Sequence, residues 1–246
     1  MKVSIITSVY NNKATIKDAI ESVLNQTYKN IEYIIVDGGS TDGTIDVIKK
    51  YQDKISKFVS ESDNGIYDGL NKGIKLATGD IIAFLHSDDE YYFTDIIEKI
   101  IKKFQENNCD GVYGDLIYVN EKNKIVRYWK SGEFSVEKLK KGWMPPHPTL
   151  FLRKKIYDKY GFFSLDYKIS ADYDFMLRVL RDNPKLVYIP EILYKMKLGG
   201  ASNKSIKNII QKSIEDYKAI TQNKVGGMLT LINKNFSKLK QFKNNY

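Results

Sequence analysis

The sequence predicts an α/β fold, with a mostly parallel central sheet flanked by helices and a C-terminal helical extension. Three observations predict it. Short β-branched runs alternate with helical patterns through the first hundred residues, and each run ends in a polar or acidic loop. The chain has 246 residues, of which 42% are hydrophobic and 28% charged, enough for one well-covered domain but not for two. Strands separated by helices imply right-handed crossovers, and sites in such sheets form beyond the carboxyl ends of the strands.

Residues 2–7 (KVSIIT) read as the first strand and 14–24 as a helix. A second strand at 32–36 (EYIIV) leads to a helix at 44–51 and a short strand at 55–59. A helix at 66–77 follows, with Ile66, Leu70, Ile74 and Ala77 on its apolar face, and then a strand at 80–85. Another helix is expected to start near Phe93. Beyond Ile101 the pattern changes: 111–119 and 124–129 read as a hairpin, 149–152 as a strand and 171–180 as a helix. This half is expected to extend the same sheet as a mixed α+β region and to form the other wall of a cleft. No Pro/Gly-rich linker separates the halves, so residues 1–203 read as one domain and 204–246 as a basic helical tail.

Charge sharpens this division. Of the net +9, residues 204–246 carry +7, from nine lysines against Glu215 and Asp216. The nearly neutral body argues against a nucleic-acid groove. In the tail, Val225, Met228, Leu229, Leu231, Ile232, Phe236, Leu239 and Phe242 are interleaved with lysines. That pattern suits an anionic membrane surface, docking back onto the domain, or a homodimer. Cys109 is the only cysteine, which leaves no intramolecular disulfide and no cysteine zinc site. The longest apolar run is 81–85, against about 20 residues for a membrane span. A cytoplasmic protein, free or peripheral on the inner face of the membrane, is expected.

The loops after the strands carry the chemistry: Ser8-Val9-Tyr10-Asn11, Asp37-Gly38-Gly39-Ser40, Glu61-Ser62-Asp63 and His86-Ser87-Asp88-Asp89. Adjacent carboxylates at a strand end repel unless a cation sits beside them, which suits Mn²⁺ or Mg²⁺ bridging a diphosphate; the alternative is a cap for the following helix. The segment DGGSTDGT at 37–44 has glycines for close backbone approach, but it is neither a dinucleotide fingerprint nor a phosphate loop ending in Gly-Lys-Ser/Thr. Asp174 lies four residues before Arg178 and is expected to pair with it, leaving Asp172 without a local partner. Lys72 either meets a diphosphate or pairs with Asp68 four residues earlier. His147, in a Pro-rich loop, is either a site residue or a packed polar one. A turn or a closing loop is expected at 199–202 (GGAS).

Four segments carry a resemblance: SIITSVYNN at 4–12, AIESVLNQTYKNIEYIIVDGGSTDGT at 19–44, NGIYDGLNKGIKLATGDIIAFLHSDD at 64–89 and SADYDFMLR at 170–178. Together they resemble the family 2 glycosyltransferases, of the GT-A fold and the bacterial surface-polysaccharide type. The resemblance implies an inverting, metal-dependent transfer of a hexosyl or N-acetylhexosaminyl group from a nucleotide-diphosphate sugar, a UDP-sugar being expected, to a glycan or lipid-linked acceptor. It implies that Ser8, Val9, Tyr10, Asp37 and Asp63 serve the nucleoside, that Asp88 faces the ribose and diphosphate, and that Asp89 holds the metal, with Asp88 and His147 as further metal candidates. Lys72 is a candidate for the diphosphate and Asp172 for the catalytic base. Three positions differ from the family's frequent residues: Gly38 replaces an acid, Leu70 an arginine and His86 an aspartate. A sugar-phosphate nucleotidyltransferase would carry a Gly-rich basic loop after the first strand, and Tyr10-Asn11-Asn12 is not one. A non-catalytic scaffold of the same fold is the reading from another class.

Overall fold

The computed structural model describes residues 1–198, 206–237 and 241. Among these, nine strands form one sheet in the order β3-β2-β1-β4-β8-β6-β9-β5, with β7 paired to β6. The first part is parallel throughout. β1 (Val3–Val9) lies between β2 (Ile31–Asp37) and β4 (Ile81–Phe84), and β3 (Lys57–Ser60) flanks β2. Helices α1 (Ile16–Leu24), α2 (Thr44–Lys49) and α3 (Ile66–Leu76) make the crossovers. β1 is buried along its whole length, as a central parallel strand covered on both faces must be.

The second part is mixed. β8 (Phe151–Arg153) is antiparallel to β4 on one side and to β6 (Gly111–Val119) on the other. β6 forms the expected hairpin with β7 (Ile125–Trp129). The longest strand, β9 (Leu186–Lys197), is one the sequence pattern did not announce, because Pro190 and Glu191 interrupt its apolar run. It runs parallel to β6 and antiparallel to the two-residue β5 (Glu90–Tyr91). β5 also displaces the next helix, so α4 spans Ile96–Asn107 with Asp95 at its N-cap. Asp88 and Asp89 therefore do not cap that helix, and the structural alternative for the acidic pair falls away.

Two apolar clusters lie on opposite faces of the sheet. One joins α1 and α4 to β1, β2, β4 and β6 through residues such as Ile5, Ile20, Ile35, Ile97 and Phe104. The other collects α3, α5 (Val136–Lys140), α6 (Lys154–Tyr160) and α7 (Ala171–Leu180). It also takes Ala219 and Ile220 of α8 (Ile206–Gln222), Val225, and Leu231 of α9 (Met228–Ser237). The described part of the C-terminal segment thus docks on the domain. Residues 199–202 and the tail positions 238–240 and 242–246 lie outside the described residues.

At the opposite end of the sheet from the strand-end loops, Glu32 ties β1, β2 and the α3–β4 turn together. It is 4% exposed and accepts from Ser4 Oγ at 2.6 Å, Thr78 N at 2.7 Å and Thr78 Oγ1 at 2.7 Å, with Lys2 and Lys57 at 3.1 and 3.2 Å. Burial pushes its carboxyl up, but the hydrogen bonds from Ser4, Thr78 and Lys2 prevail and hold it well below the usual carboxylate range. Because the folded value is depressed, this stabilisation is complete above about pH 4.5 and is lost as pH falls toward the folded value. Glu32→Ala should lower the unfolding free energy by about 3 kcal/mol at pH 7, since it strands several buried donors. Denaturant titrations should show the gap between wild type and variant shrinking below about pH 4.5; a constant gap would deny Glu32 this role.

Candidate active site

A cleft of about 1010 Å³ opens beyond the carboxyl ends of β1, β3 and β4. The parallel register aligns Val9 with Asp37 across β1 and β2, so the loops after these strands start side by side. Of the residues singled out from sequence, Ser8, Tyr10, Asp63, Asp88, His147 and Asp172 line this one cleft. They come from five different segments. Tyr10 is 63% exposed and offers its ring to the cleft, while Ser8 is buried at its floor.

Glycines bring the floor together. A Cβ on Gly69 of α3 would lie 2.3 Å from Ser8 Oγ, and one on Gly38 would lie 2.7 Å from Asp63 Oδ2. An acid in place of Gly38, as the family resemblance leads one to expect, would drive its Cβ into Asp63. Glycine lets the two loops close on each other without that contact.

Four expected positions do not line the cleft: Asp37, Val9, Lys72 and Asp89, the last of which lies behind Asp88. Asp37 is fully buried, with Oδ2 accepting from Gly39 N, Ser40 N and Ser60 Oγ at 3.0, 3.0 and 2.7 Å; its Oδ1 is buried without a hydrogen-bond partner. Val9 is buried, and its carbonyl accepts from Gly38 N at 2.9 Å. Lys72 turns away: its Nζ lies 2.9 Å from Glu61, 3.8 Å from Asp68 and 3.0 Å from the Ser62 carbonyl. The ion pair that the i,i+4 spacing offered forms at 3.8 Å, but Glu61 is the nearer partner.

The loop from β4 to β5 holds the acidic pair. Asp88 faces the cleft. Asp89 lies behind it, fully buried, with Oδ1 accepting from Lys197 N at 3.1 Å and Oδ2 without a hydrogen-bond partner. Burial, and then the neighbouring Asp88 charge, push the Asp89 carboxyl well above the usual range. His86 on the same loop has a buried Nδ1, also without a partner. No group of three or more His, Cys, Asp or Glu placed to hold a metal occurs among the described residues. An orphaned buried carboxylate oxygen beside a cleft-facing carboxylate nevertheless suits Mg²⁺ or Mn²⁺, which take one or two protein carboxylates and complete their shell with phosphate oxygens and water.

Asp172 stands across the cleft, in the first turn of α7. Tyr67 of α3 places its Oη 3.0 Å from Asp172 Oδ1 and 2.6 Å from the Ile169 carbonyl. Burial, reinforced by the Asp172 charge, pushes this phenol well up, so Tyr67 stays a neutral donor. Asp174 forms the expected bond with Arg178 Nε at 3.0 Å and also accepts from Asn223 Nδ2 at 2.9 Å. Asp172 is thereby the acid of the pair that lines the cleft. His86, Asp88 and Asp172 all line the same cleft.

The sequence reading missed several cleft residues: Tyr67, Tyr118, Arg127, Trp129, Lys212 and Lys234. Tyr67 lies inside the segment NGIYDGLNKG, and its place one residue after the apolar Ile66 was the available signal. Tyr118 and Arg127 are cross-strand partners on β6 and β7, with the guanidinium 4.5 Å from the Tyr118 ring and 5.5 Å from the Trp129 ring. Only the hairpin register reveals that stack.

His147 is buried, stacked at 5.3 Å on Phe84 and edge-on at 5.5 Å to Phe163. Burial drives its imidazole down to about 4, against a smaller opposing pull from Asp172. The ring is therefore neutral at pH 7. An unfolded histidine binds its proton near 6.5, so stability should decline as pH falls from 6.5 to about 4, by about 3 kcal/mol from this group. NMR titration should find the His147 ring changing charge near pH 4; a midpoint near 6.5 would contradict the buried placement.

Comparison with known proteins agrees with this architecture. Residues 4–182 match the family model described as "Glycosyl transferase family 2". A PGL/p-HBAD biosynthesis glycosyltransferase of Mycobacterium tuberculosis is 31% identical over 207 residues, covering 81% of this chain and 78% of that protein. An uncharacterized glycosyltransferase of Rickettsia typhi is 33% identical over 226 residues, covering 89% of this chain and 70% of its own length. Among solved structures, S. aureus TarS 1-349 in complex with UDP-GlcNAc superposes with a TM-score of 0.75 at 19% identity, over 92% of this chain and 66% of that one. The mannosyltransferase PcManGT from Pyrobaculum calidifontis, in complex with GDP-Man and Mn²⁺, gives 0.68 at 16% identity, over 96% and 69%. With its parallel strand-end cleft, its acidic loop after β4 and a family match across most of its length, the chain is a glycosyltransferase of family 2 with the GT-A fold.

Proposed function

We propose that the protein transfers a sugar from a nucleotide-diphosphate sugar to a hydroxyl of a glycan or lipid-linked acceptor in surface-polysaccharide assembly, with inversion at the anomeric carbon. The observation that carries this reading is the single cleft that unites Ser8, Tyr10 and Asp63 with Asp88 and Asp172. Ser8, Tyr10 and Asp63 suit the nucleoside, with Asp37 and Val9 supporting that floor from beneath. Asp88 and the orphaned Oδ2 of Asp89 would hold the divalent ion. A cation there, Mn²⁺ or Mg²⁺, would supply positive charge to offset the negative charge of the leaving diphosphate. Asp172 takes the proton from the attacking acceptor hydroxyl, and Tyr67 orients its carboxylate through Oδ1. The acceptor oxygen attacks opposite the leaving group, which inverts the centre. UDP-GlcNAc and GDP-Man in the two solved structures make UDP- and GDP-sugars the first donors to test.

Thermal unfolding with UDP or GDP should rise only when Mn²⁺ or Mg²⁺ is present, and Asp89→Ala should lose that rise. Asp172→Asn should keep the rise while transfer falls by about 10²–10⁴-fold, the usual worth of a positioned base. Near-normal transfer by Asp172→Asn would remove the base assignment, and a nucleotide shift indifferent to metal would remove the metal one.

We further place the enzyme on the cytoplasmic face of an anionic membrane, held there peripherally. Among the described residues no helix is long and apolar enough to cross a membrane. The outer faces of α8 and α9 leave Ile209, Ile210, Ile214, Leu229, Ile232 and Phe236 exposed, Leu229 by 76%. Lys207 and Lys224 are exposed on the same segment, and Glu215 and Asp216, the two acids of residues 204–246, are both buried, so acidic lipid headgroups meet neither of them. Each lysine near such a surface contributes about 1 kcal/mol. The protein should float with phosphatidylglycerol-containing vesicles and not with pure phosphatidylcholine ones, and Leu229→Asp/Phe236→Asp should weaken it. Equal recovery with both vesicle types, or a concentration-dependent dimer without vesicle binding, would overturn the assignment.

A further inference from the structure

From residue 204 onward the chain has nine lysines and two acids, and the acids are neighbours, Glu215 and Asp216. On a solvated basic helix they would face water and pair with lysines one turn away. Instead they are 4% and 1% exposed, and both reach the turn that leads into α7. Glu215 accepts from three consecutive amides: Lys168 N at 3.1 Å, Ile169 N at 2.8 Å and Ser170 N at 2.9 Å. Gln211, one turn earlier on α8, donates to the same carboxylate at 2.9 Å and fixes its plane. Asp216 accepts from Ser170 Oγ at 2.9 Å and pairs with Lys234 of α9 at 2.6 Å. The Lys234 Nζ also lies 3.3 Å from the centre of the Tyr173 ring, the residue after Asp172.

We propose that α8 and α9 are a working part of the active site, with Glu215 and Asp216 acting as positioning residues that fix the 168–172 turn and so the place of Asp172. The inference rests on the reading of Asp172 as base. From one side the single Tyr67 hydroxyl hydrogen is shared between the Ile169 carbonyl and the Asp172 carboxylate; from the other, Glu215 and Asp216 hold the three amides and the Ser170 hydroxyl. A base must stand within hydrogen-bond reach of the attacking oxygen, and errors of about 1 Å cost about a hundredfold in rate. Burying a carboxylate–ammonium pair is expensive, and apolar side chains would join α8 to α9 as firmly. What charged groups add is direction. Burial lowers the Lys234 ammonium to about 8 against the pull of Asp216, which marks how dry this contact is. The brace residues Glu215 and Asp216 lie beyond residues 4–182, the region of the family match, while the turn they hold lies inside it.

The test uses the full-length protein with Glu215→Ala and the milder Ser170→Ala, which removes one hydroxyl and keeps the helix. Turnover is followed as release of UDP or GDP from the corresponding sugar donors, binding by titration with UDP or GDP and Mn²⁺, and the turn itself by hydrogen exchange. The expected result is a kcat lowered at least about tenfold by Glu215→Ala and about threefold by Ser170→Ala, with donor KM and nucleotide affinity within about twofold of wild type. Faster exchange in Glu215→Ala should be confined to the amides of Lys168, Ile169 and Ser170. Unchanged kcat in both variants, or a loss of nucleotide affinity equal to the loss of kcat, would overturn the proposal. If Glu215→Ala does not fold, the kcat and KM of Ser170→Ala decide alone. An active Asp172→Asn would instead overturn the base reading, whatever the brace variants do.

Discussion

A three-residue strand holds the two halves of this enzyme in register. β8 is the hydrogen-bonded bridge between β4, which ends the parallel half, and β6, which begins the mixed half. The junction is tight: a Cβ on Gly111 of β6 would lie 2.6 Å from Leu152 and 2.8 Å from Leu186. A side chain there would push the ends of both leucines aside and crowd the Phe151 carbonyl at 3.0 Å, so glycine gives β6 its close fit between β8 and β9. The cleft follows from this geometry, because the chain leaving β4 does not turn back into a helix. It crosses from the parallel half to the far edge, where Glu90 and Tyr91 pair with β9. Residues 86–89 therefore span the two halves, and the acidic pair sits on the crossing.

That crossing concentrates charge in a dry place. Asp89 has one oxygen satisfied by a backbone amide and one with no partner, and its neighbour is another carboxylate. An arrangement of this kind costs stability in an isolated chain and is relieved by a cation. The opposite wall is built differently: Asp172 is partnered by Tyr67 and stands at the start of a helix whose approach is held by Glu215. On the proposed function one carboxylate would hold a metal and the other would take a proton, a division that suits a reaction in which one group leaves as an anion and another gives up a hydrogen.

The parallel half of the fold was legible from residue patterns. Strand and helix bounds through β4 agree with the periodicity to within a few residues, because a buried strand is a β-branched run and a covering helix repeats its apolar face. β9 was not legible, since its twelve residues alternate burial irregularly, contain a proline and keep their pattern only in the company of β6. The strand-end residues Ser8, Tyr10, Asp63 and Asp88 and the helix residue Asp172 could be singled out because short motifs contain them, and they do share one cleft. Lys72 could not be resolved by spacing alone: Asp68 was a visible partner, but the stronger one, Glu61, comes from the preceding loop.

By itself, then, the sequence determined the elements whose reason is local: the alternation of strands and helices, the polar loops at strand ends, the Asp174–Arg178 pair and the basic C-terminal segment. Tertiary structure decided what depends on residues far apart. It set Asp88 toward the cleft and Asp89 behind it, stacked Arg127 on Tyr118 across a hairpin, and gave the tail two faces, one leaving apolar side chains outward, one carrying Glu215 and Asp216 inward to the turn before Asp172. Periodicity fixes which residues share a face of a helix. Which face meets which partner depends on the packing of elements dozens of residues apart, and no local pattern encodes that.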